Sequence, residues 1–356
     1  MLDIPEWTIM LYDQQNQPIM DISDLASINL NMKLNDIATL DFSMDMKMFE
    51  RKCAAINTPP RSILYPATTE IRAFRNGNAM FGGIISGANS TYDESGSSID
   101  VQSESYLQYF AYRLNNKTYR NMDRSAIAWD AINTAQSEPN GNLGVTLGTT
   151  QPTFSSDLDP DYRDVKSIIQ RFTYVQPVTY DFEITPDKVF NTYRRLGSER
   201  PDIQLIYPQN IRSIDVPRSS DTLYNRVIGI GSGIGRERLE TRVDNGNSQI
   251  TYRIRETKET FNDVKQMSTL ENNAAGILDQ SYEVQVLPNI RVDGHEVDLD
   301  VLRVGDSVFV RIDESPMNDD VNGMYRIYDM TIEVDQNSYE QVTLGFYKPD
   351  NGGAID

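Results

Sequence analysis

With one cysteine and one histidine among 356 residues, several chemistries have little to work with. Cys53 has no intrachain partner for a disulfide, which points to folding in a reducing cytoplasm. Zinc sites built from several His and Cys ligands are excluded, and a Ser-His-Asp or Cys-His site would have to recruit His295, in the turn Asp293-Gly294-His295-Glu296. Positive charge is also short: 33 Lys and Arg stand against 52 Asp and Glu, a net charge of −19. Stable nucleic-acid binding needs clustered cations, so this balance argues against it. The longest apolar runs are a few residues, far below the roughly 20 needed to span a bilayer, so no membrane insertion is expected. Met1 to Trp7 has neither the basic start nor the apolar core of a signal peptide, and export by that route is not expected.

What the chain does contain is β-structure. Near the C-terminus, Val304 to Arg311, Tyr325 to Val334 and Gln341 to Phe346 are short β-branched and aromatic runs separated by turn formers, the grammar of a meander in a small barrel or sandwich. Thr69 to Arg75, Phe81 to Ile85 and Ser98 to Gln102 repeat it, with Asn76-Gly77 at the first turn. Setting Gly83 on Tyr325, an offset of 242, also sets Ile85 on Ile327, Asp93 on Asp335 and Ser97 on Tyr339. The match is one of pattern, with little identity, and suggests a duplicated module.

Period-two alternation predicts further strands at Trp7 to Tyr12, Ala26 to Leu34 and Ala38 to Met44. A short helix over Met44 to Ala55, with Met44, Met48 and Phe49 on one face, should stop at Pro59-Pro60. The middle turns helical. Asn121 to Ile132 places Ile127, Ala131 and Ile132 together behind a cap at Asp123 or Asn121, and Tyr162 to Phe172 places Val165, Ile168, Ile169 and Phe172 on a stripe. Strands at Val178 to Ile184 and Lys188 to Arg194 should follow. Leu223 to Gly231 reads as a strand with Gln249 to Arg255 as hairpin partner across Asn245-Gly246, and Ser268 opens a helix through Ala274, Ala275 and Leu278.

The expected fold is α+β and β-rich: a β-barrel over 1–104, an α/β domain over 105–215, a second barrel over 216–348 with an inserted helix over 268–281, and a polar tail over 349–356. Tyr106, Tyr109, Phe110 and Tyr112 should pack as a hinge between the first two domains.

Three motifs imitate sites. Gly229 to Gly235 fails the dinucleotide fingerprint in register and lacks the Lys-Ser or Lys-Thr of a nucleotide-triphosphate loop, so close backbone approach explains it better. Asn318 to Gly323 with Asp329 partly imitates a calcium loop, but Tyr325 onward reads as strand where that motif needs a helix. Cys53, beside Ala54, Ala55 and Ile56, reads as a small core residue. No catalytic, cofactor-binding or metal-binding residue is assigned, although the many carboxylates leave a glycosidase-type pair open.

The order of these motifs resembles the bacteriophage tail hub or baseplate hub family. It is carried by the block at 69–102 with Gly82-Gly83-Ile84-Ile85, the Lys117 to Asp123 lead into a helix, the Leu223 to Val227 strand, the Ser268 to Leu278 helix and the closing meander from Val304. The resemblance implies two tube-like barrels per subunit and a homotrimer whose six barrels match a six-fold tail tube. It further implies a hub joining tube or distal tail protein to the tip, spike and other baseplate proteins, with DNA only in transit through an acidic channel. The location would be the virion, with assembly in the host cytoplasm, no cofactor and no enzymatic activity. No hydrolase or fibre domain is expected after Tyr347. Two other readings stay open: a six-copy distal tail or other virion adaptor, and a carbohydrate-active enzyme.

Overall fold

The computed structural model describes residues 5–94, 96–174, 178–261, 264–313, 318 and 321–347. The first part holds seven strands: β1 (Trp7–Tyr12), β2 (Pro18–Ile22), β3 (Ser27–Lys33), β4 (Thr39–Asp45), β5 (Glu70–Arg75), β6 (Asn78–Asp93) and β7 (Gly96–Ser105). Alternation builds them as expected: Trp7, Ile9 and Leu11 are buried on β1, and Leu40, Phe42 and Met44 on β4. Asn76 and Gly77 both have positive φ, the backbone that a tight β5–β6 hairpin demands. Between β4 and β5 lie α1 (Met46–Ala55) and α2 (Pro60–Ile63). Asp45 caps α1 by accepting from the Met48 amide at 2.8 Å, so the strand continues through Met44 and the buried face is Met46, Phe49 and Cys53. That corrects the expected Met44/Met48 stripe; Met48 is exposed. Pro60 does not end helix but starts α2, where a missing N–H costs nothing.

The middle comprises a 3₁₀ segment Tyr106–Tyr112, β8 (Leu114–Asn115), β9 (Tyr119–Asp123), α3 (Arg124–Ser137), β10 (Thr146–Thr150), β11 (Ser155–Leu158), β12 (Arg163–Asp164), α4 (Val165–Arg171), β13 (Asp181–Ile184) and β14 (Val189–Tyr193). Asp123 caps α3 and Asp164 caps α4. Asp161 and Tyr162 have positive φ, which delays α4 beyond its expected start. Ile127, Ala131, Ile132, Val165, Ile168, Ile169 and Phe172 meet β13 and β14 in one core, as their spacing predicts. The parallel partner of β14, β10, was not foreseen: all five of its residues are exposed and carry no alternation.

The last part contains β15 (Glu199–Tyr207), β16 (Ser213–Asp215), β17 (Arg218–Ser219), β18 (Arg226–Ile230), β19 (Glu240–Asp244), α5 (Gly246–Tyr252), β20 (Glu256–Thr260), α6 (Met267–Ser281), β21 (Gln285–Val286), β22 (Asn289–Asp293), β23 (Ser307–Ile312), β24 (Gly323–Val334) and β25 (Glu340–Tyr347). Asn245-Gly246 does not turn a hairpin. Asn245 accepts from the Ser248 amide and opens α5, and the antiparallel partner of β18 is β19. Ser268 does not cap α6, which starts one residue earlier without a side-chain cap. Together β18 to β20, α5 and α6 form an insert with its own small core of Val227, Ala274 and Leu278, larger than the single helix expected.

β15 and β16, within the expected middle segment, hydrogen-bond instead into the C-terminal strands. The result is a second module in the same pairing order as the first. Strands β3-β4-β7-β6-β5-β1 are matched by β16-β22-β25-β24-β23-β15, with chain order preserved. One difference is direction: β1 runs antiparallel to β5, and β15 parallel to β23. Both long strands carry the same bulge. The register of β6 on β7 slips between Ile85 and Gly87, and that of β24 on β25 between Ile327 and Asp329, so the extra residues Ser86 and Tyr328 are 242 apart. Beyond the turn the offset grows by one, because Tyr92 faces Ser97 while Val334 faces Glu340. Ser97 therefore lies on Glu340, not Tyr339.

The two modules are not separate barrels, and no sheet of the described residues closes on itself. β24 pairs with β25 on one edge and, past the bulge, with β3 on the other, from Asp329↔Lys33 to Val334↔Ile28. A 13-stranded sheet with one shared core results. Each module thus covers a strand edge that would otherwise be open. Among the described residues, no helix is long and apolar enough to cross a membrane.

Candidate assembly surface

Three buried polar clusters fix how distant strands meet. Glu340, at the start of β25, accepts from the Trp7 indole at 2.7 Å and from Arg75 Nε and Nη2 at 2.8 and 2.9 Å. Arg75 also reaches Asp300 at 3.0 Å. Trp7 and Arg75 lie on β1 and β5, several strands from β25 in pairing order, so the sheet coils until side chains join its distant parts.

In the second cluster Lys188 donates to Glu70 at 2.7 Å and to the Leu143 carbonyl at 2.9 Å. The Tyr106 hydroxyl donates to the same carboxylate at 3.3 Å, and the Lys188 ammonium lies 5.1 Å from the Tyr106 ring centroid. Burial, with the Glu70 charge nearby, pushes the Tyr106 phenol well above its ordinary range. Tyr106 faces β5 while Phe110 enters the middle core, so the 3₁₀ segment is the expected packed joint; Tyr112 is exposed. β6 approaches at Gly82, where a Cβ would stand 2.6 Å from the Pro186 Cα. Gly82→Ala is expected to cost on the order of 1–3 kcal/mol, because backbone on both sides must move. Thermal unfolding followed at Trp129 would check this; an unchanged midpoint would show that the contact gives way freely.

In the third, Asp181 accepts from Asn35 at 2.7 Å, from the Leu196 amide at 2.7 Å and from Arg326. Arg326 also donates to the Gly305 and Leu196 carbonyls, so the middle part is tied to the C-terminal module through Arg326 and to the N-terminal one through Asn35. Within the middle part, Arg124 is buried against Phe154 and Phe172, and desolvation, with Arg171 adding to it, lowers its guanidinium to about 10.

The residues singled out in the sequence do not converge. Cys53 is fully buried in the shared core, which pushes its thiol up, while His295 is exposed beside Glu296 at 3.3 Å. An added Cβ at Gly229 would stand 2.9 Å from the Thr241 side chain on β19 and 3.2 Å from Ala274 on α6, and one at Gly231 2.9 Å from Leu239 Cβ and from the Val264 carbonyl oxygen. Close approach of neighbouring chain on both sides therefore explains these glycines. In the calcium-like loop, Asp319 and Asp320 lie outside the described residues. Asn318 accepts from Arg218, Asn322 from the Ile312 amide, and Asp329 from Asn31 across the β3–β24 seam. The polar tail also lies outside the described residues. An open groove lined by Trp129, Asn133, Gln136, Thr146 and Leu147 has no titratable side chain in its wall.

What stands out instead is a difference between the modules. Met330, Ile332 and Val334 of β24 are buried beside β3, whereas their counterparts on β6, Ala88, Ser90 and Tyr92, are exposed. Sequence reasoning did not find Glu340, Glu70 or Lys188. Among 52 carboxylates nothing in local pattern marks Glu70 and Glu340 as buried.

No protein-family profile matches the sequence, and no curated protein matches it. Solved structures do match. A tail protein from Neisseria meningitidis MC58 superposes at a TM-score of 0.71 with 13% identity, covering 97% of each chain. A 43 kDa tail protein of prophage MuSo2 from Shewanella oneidensis gives 0.69 with 11% identity, covering 97% of this chain and 99% of its own. An Escherichia coli component of the type VI secretion system, described as structurally similar to T4 tail proteins gp27 and gp5, gives 0.52 with 13% identity over 92% of this chain and 75% of its own. Over nearly its whole length, this chain has the fold of phage tail proteins.

Proposed function

We propose that this chain is a non-enzymatic structural hub of a phage-type tail, a homotrimer that joins a six-fold tail tube to the tip or spike. The observation that carries the reading is the repeated module, with the same six-strand order and the same bulge twice in one chain. Three copies present six equivalent modules, which is how a three-fold part meets a six-fold one without any catalytic group. Each module is then one tube-like barrel segment, the first over 1–104 and the second from about residue 199, with 105–198 and the insert over 216–288 facing neighbouring baseplate proteins. The net charge of −19 suits a channel through which DNA passes without being held. The site of action is the virion tail.

Mass measurement of the assembled protein tests this. Three copies of the 40.5 kDa chain, about 122 kDa, are expected. Six copies would favour a distal tail or other adaptor instead. Hydrolysis of cell-wall glycans that one carboxylate substitution abolishes would overturn the non-enzymatic reading.

A further inference from the structure

The internal repeat also predicts which edges join one subunit to the next. Inside the chain, the outer half of β24 is covered by β3, with Glu333 opposite Asn29 and Val334 opposite Ile28. By the offset of 242, those β24 positions fall on Thr91 and Tyr92 of β6. Following the paired strands β7–β4–β3 and β25–β22–β16 across, Asn29 falls on Asp215 and Ile28 on Ile214. Yet these two counterparts are not paired with each other. Among the described residues, β6 pairs with β5 only as far as Ile84 and with β7 on its other edge, and β16 pairs with β22 alone. Val334 is 7% exposed; Tyr92 is 74% exposed.

We infer that the outer half of β6, Gly87 to Tyr92, accepts β16 of a second copy of this chain, antiparallel, with Thr91 opposite Asp215 and Tyr92 opposite Ile214. This rests on the hub reading and adds its subunit seam. The edge is fit for pairing. Ser86 to Tyr92 contains no charge and no proline, the usual guards of a solvent-facing edge, in a chain that is 24% charged. On the opposing strand, Ile214 and Val216 sit half-buried at the margin of the core, where an added strand would cover them. Pro217 has no N–H to give, so the shared ladder is short and ends there. Because the two edges differ and lie on different strands, the contact is head-to-tail, the kind that closes into rings.

The test is disulfide trapping in the full chain. Thr91→Cys with Asp215→Cys should link, under mild oxidation, into a covalent ring with the mass of the native assembly, and neither single substitution should do so. Charge gives an independent readout that needs no thiol. Thr91→Asp puts like charges opposite one another and should weaken self-association about fivefold at each contact, and adding Asp215→Lys should restore it. If rings assemble but neither trapping nor charge reversal affects them, this seam is wrong and the hub reading survives. If the chain stays monomeric at every concentration, alone and with its tube protein, both fall.

Discussion

Glu340→Ala is expected to cost about 3–5 kcal/mol of folding stability, the loss found when one partner of a buried ion pair is removed. The carboxylate accepts three hydrogen bonds from Trp7 and Arg75, and its side chain is 4% exposed. Among the described residues Arg75 would then keep only Asp300, which is more than a third exposed, and the Trp7 indole N–H would lose its acceptor. The two donors belong to the N-terminal module and the acceptor to the C-terminal one, so the damage falls where the coiled sheet is held together. In a Trp129→Phe background Trp7 is the remaining indole, and its fluorescence reports this region during denaturant unfolding. Glu340→Gln, which retains an acceptor oxygen but not the charge, should fall between the two. Arg75→Met with Glu340→Leu should recover only part of the loss: replacing both charged partners removes the desolvation cost together with the attraction, but the buried Trp7 indole N–H still lacks its acceptor, at about 1–3 kcal/mol. A loss below about 1 kcal/mol for Glu340→Ala would show that this ion pair does not hold the modules together.

Much of the fold was legible because it is written in local pattern. Strands β1, β3 and β4 announce themselves by alternation, the inner parts of β5 to β7 and β23 to β25 by β-branched and aromatic runs between turn formers, and α3 and α4 by a repeated apolar face behind an Asp cap. Even the repeat could be aligned, because a bulge at Ser86 and another at Tyr328 keep their spacing although the residues differ. Where reading failed, one local signal had two structural outcomes. Asn245-Gly246 serves a helix cap as well as a hairpin, and the pair at Asn76-Gly77 took the other course. β10 and β16 are short or fully polar, and they are strands only because of what they pair with.

The assembly surface was less legible, for a related reason. The 318–323 loop stands out in the sequence as a partial calcium-loop pattern, but Asn318 and Asn322 are engaged within the chain. The exposed edge lies on β6, in a stretch after Ile85 whose sequence reads as a Ser/Gly loop although the strand continues to Asp93. Only comparison with β24, where the same positions are buried under β3, sets it apart. A missing partner is a property of tertiary structure, and no periodicity records it.

The joint between the first module and the middle part carries the second large effect. Lys188→Met should destabilise by about 3–5 kcal/mol, because it leaves the Glu70 carboxylate buried with the Tyr106 hydroxyl as its one side-chain partner and strips the Leu143 carbonyl of its donor. Lys188 has positive φ in the β13–β14 turn, but Met carries the same Cβ and adds no backbone strain; what the variant loses besides the ion pair is the donor to Leu143. A double-mutant cycle separates the two losses. Glu70→Gln removes the charge while keeping the shape, and Glu70→Gln with Lys188→Met should recover most of what Lys188→Met loses. The loss at the Leu143 carbonyl would persist in the double variant; an uncompensated charge would not. Location can be read as well. With Trp7 in the sheet and Trp129 stacked on Phe190 in the middle core, single-tryptophan versions of Lys188→Met should show the Trp129 transition moving to lower denaturant ahead of the Trp7 transition. If both move together, the middle part and the large sheet unfold as one unit, and the Glu70–Lys188 pair stabilises the whole chain rather than a joint within it.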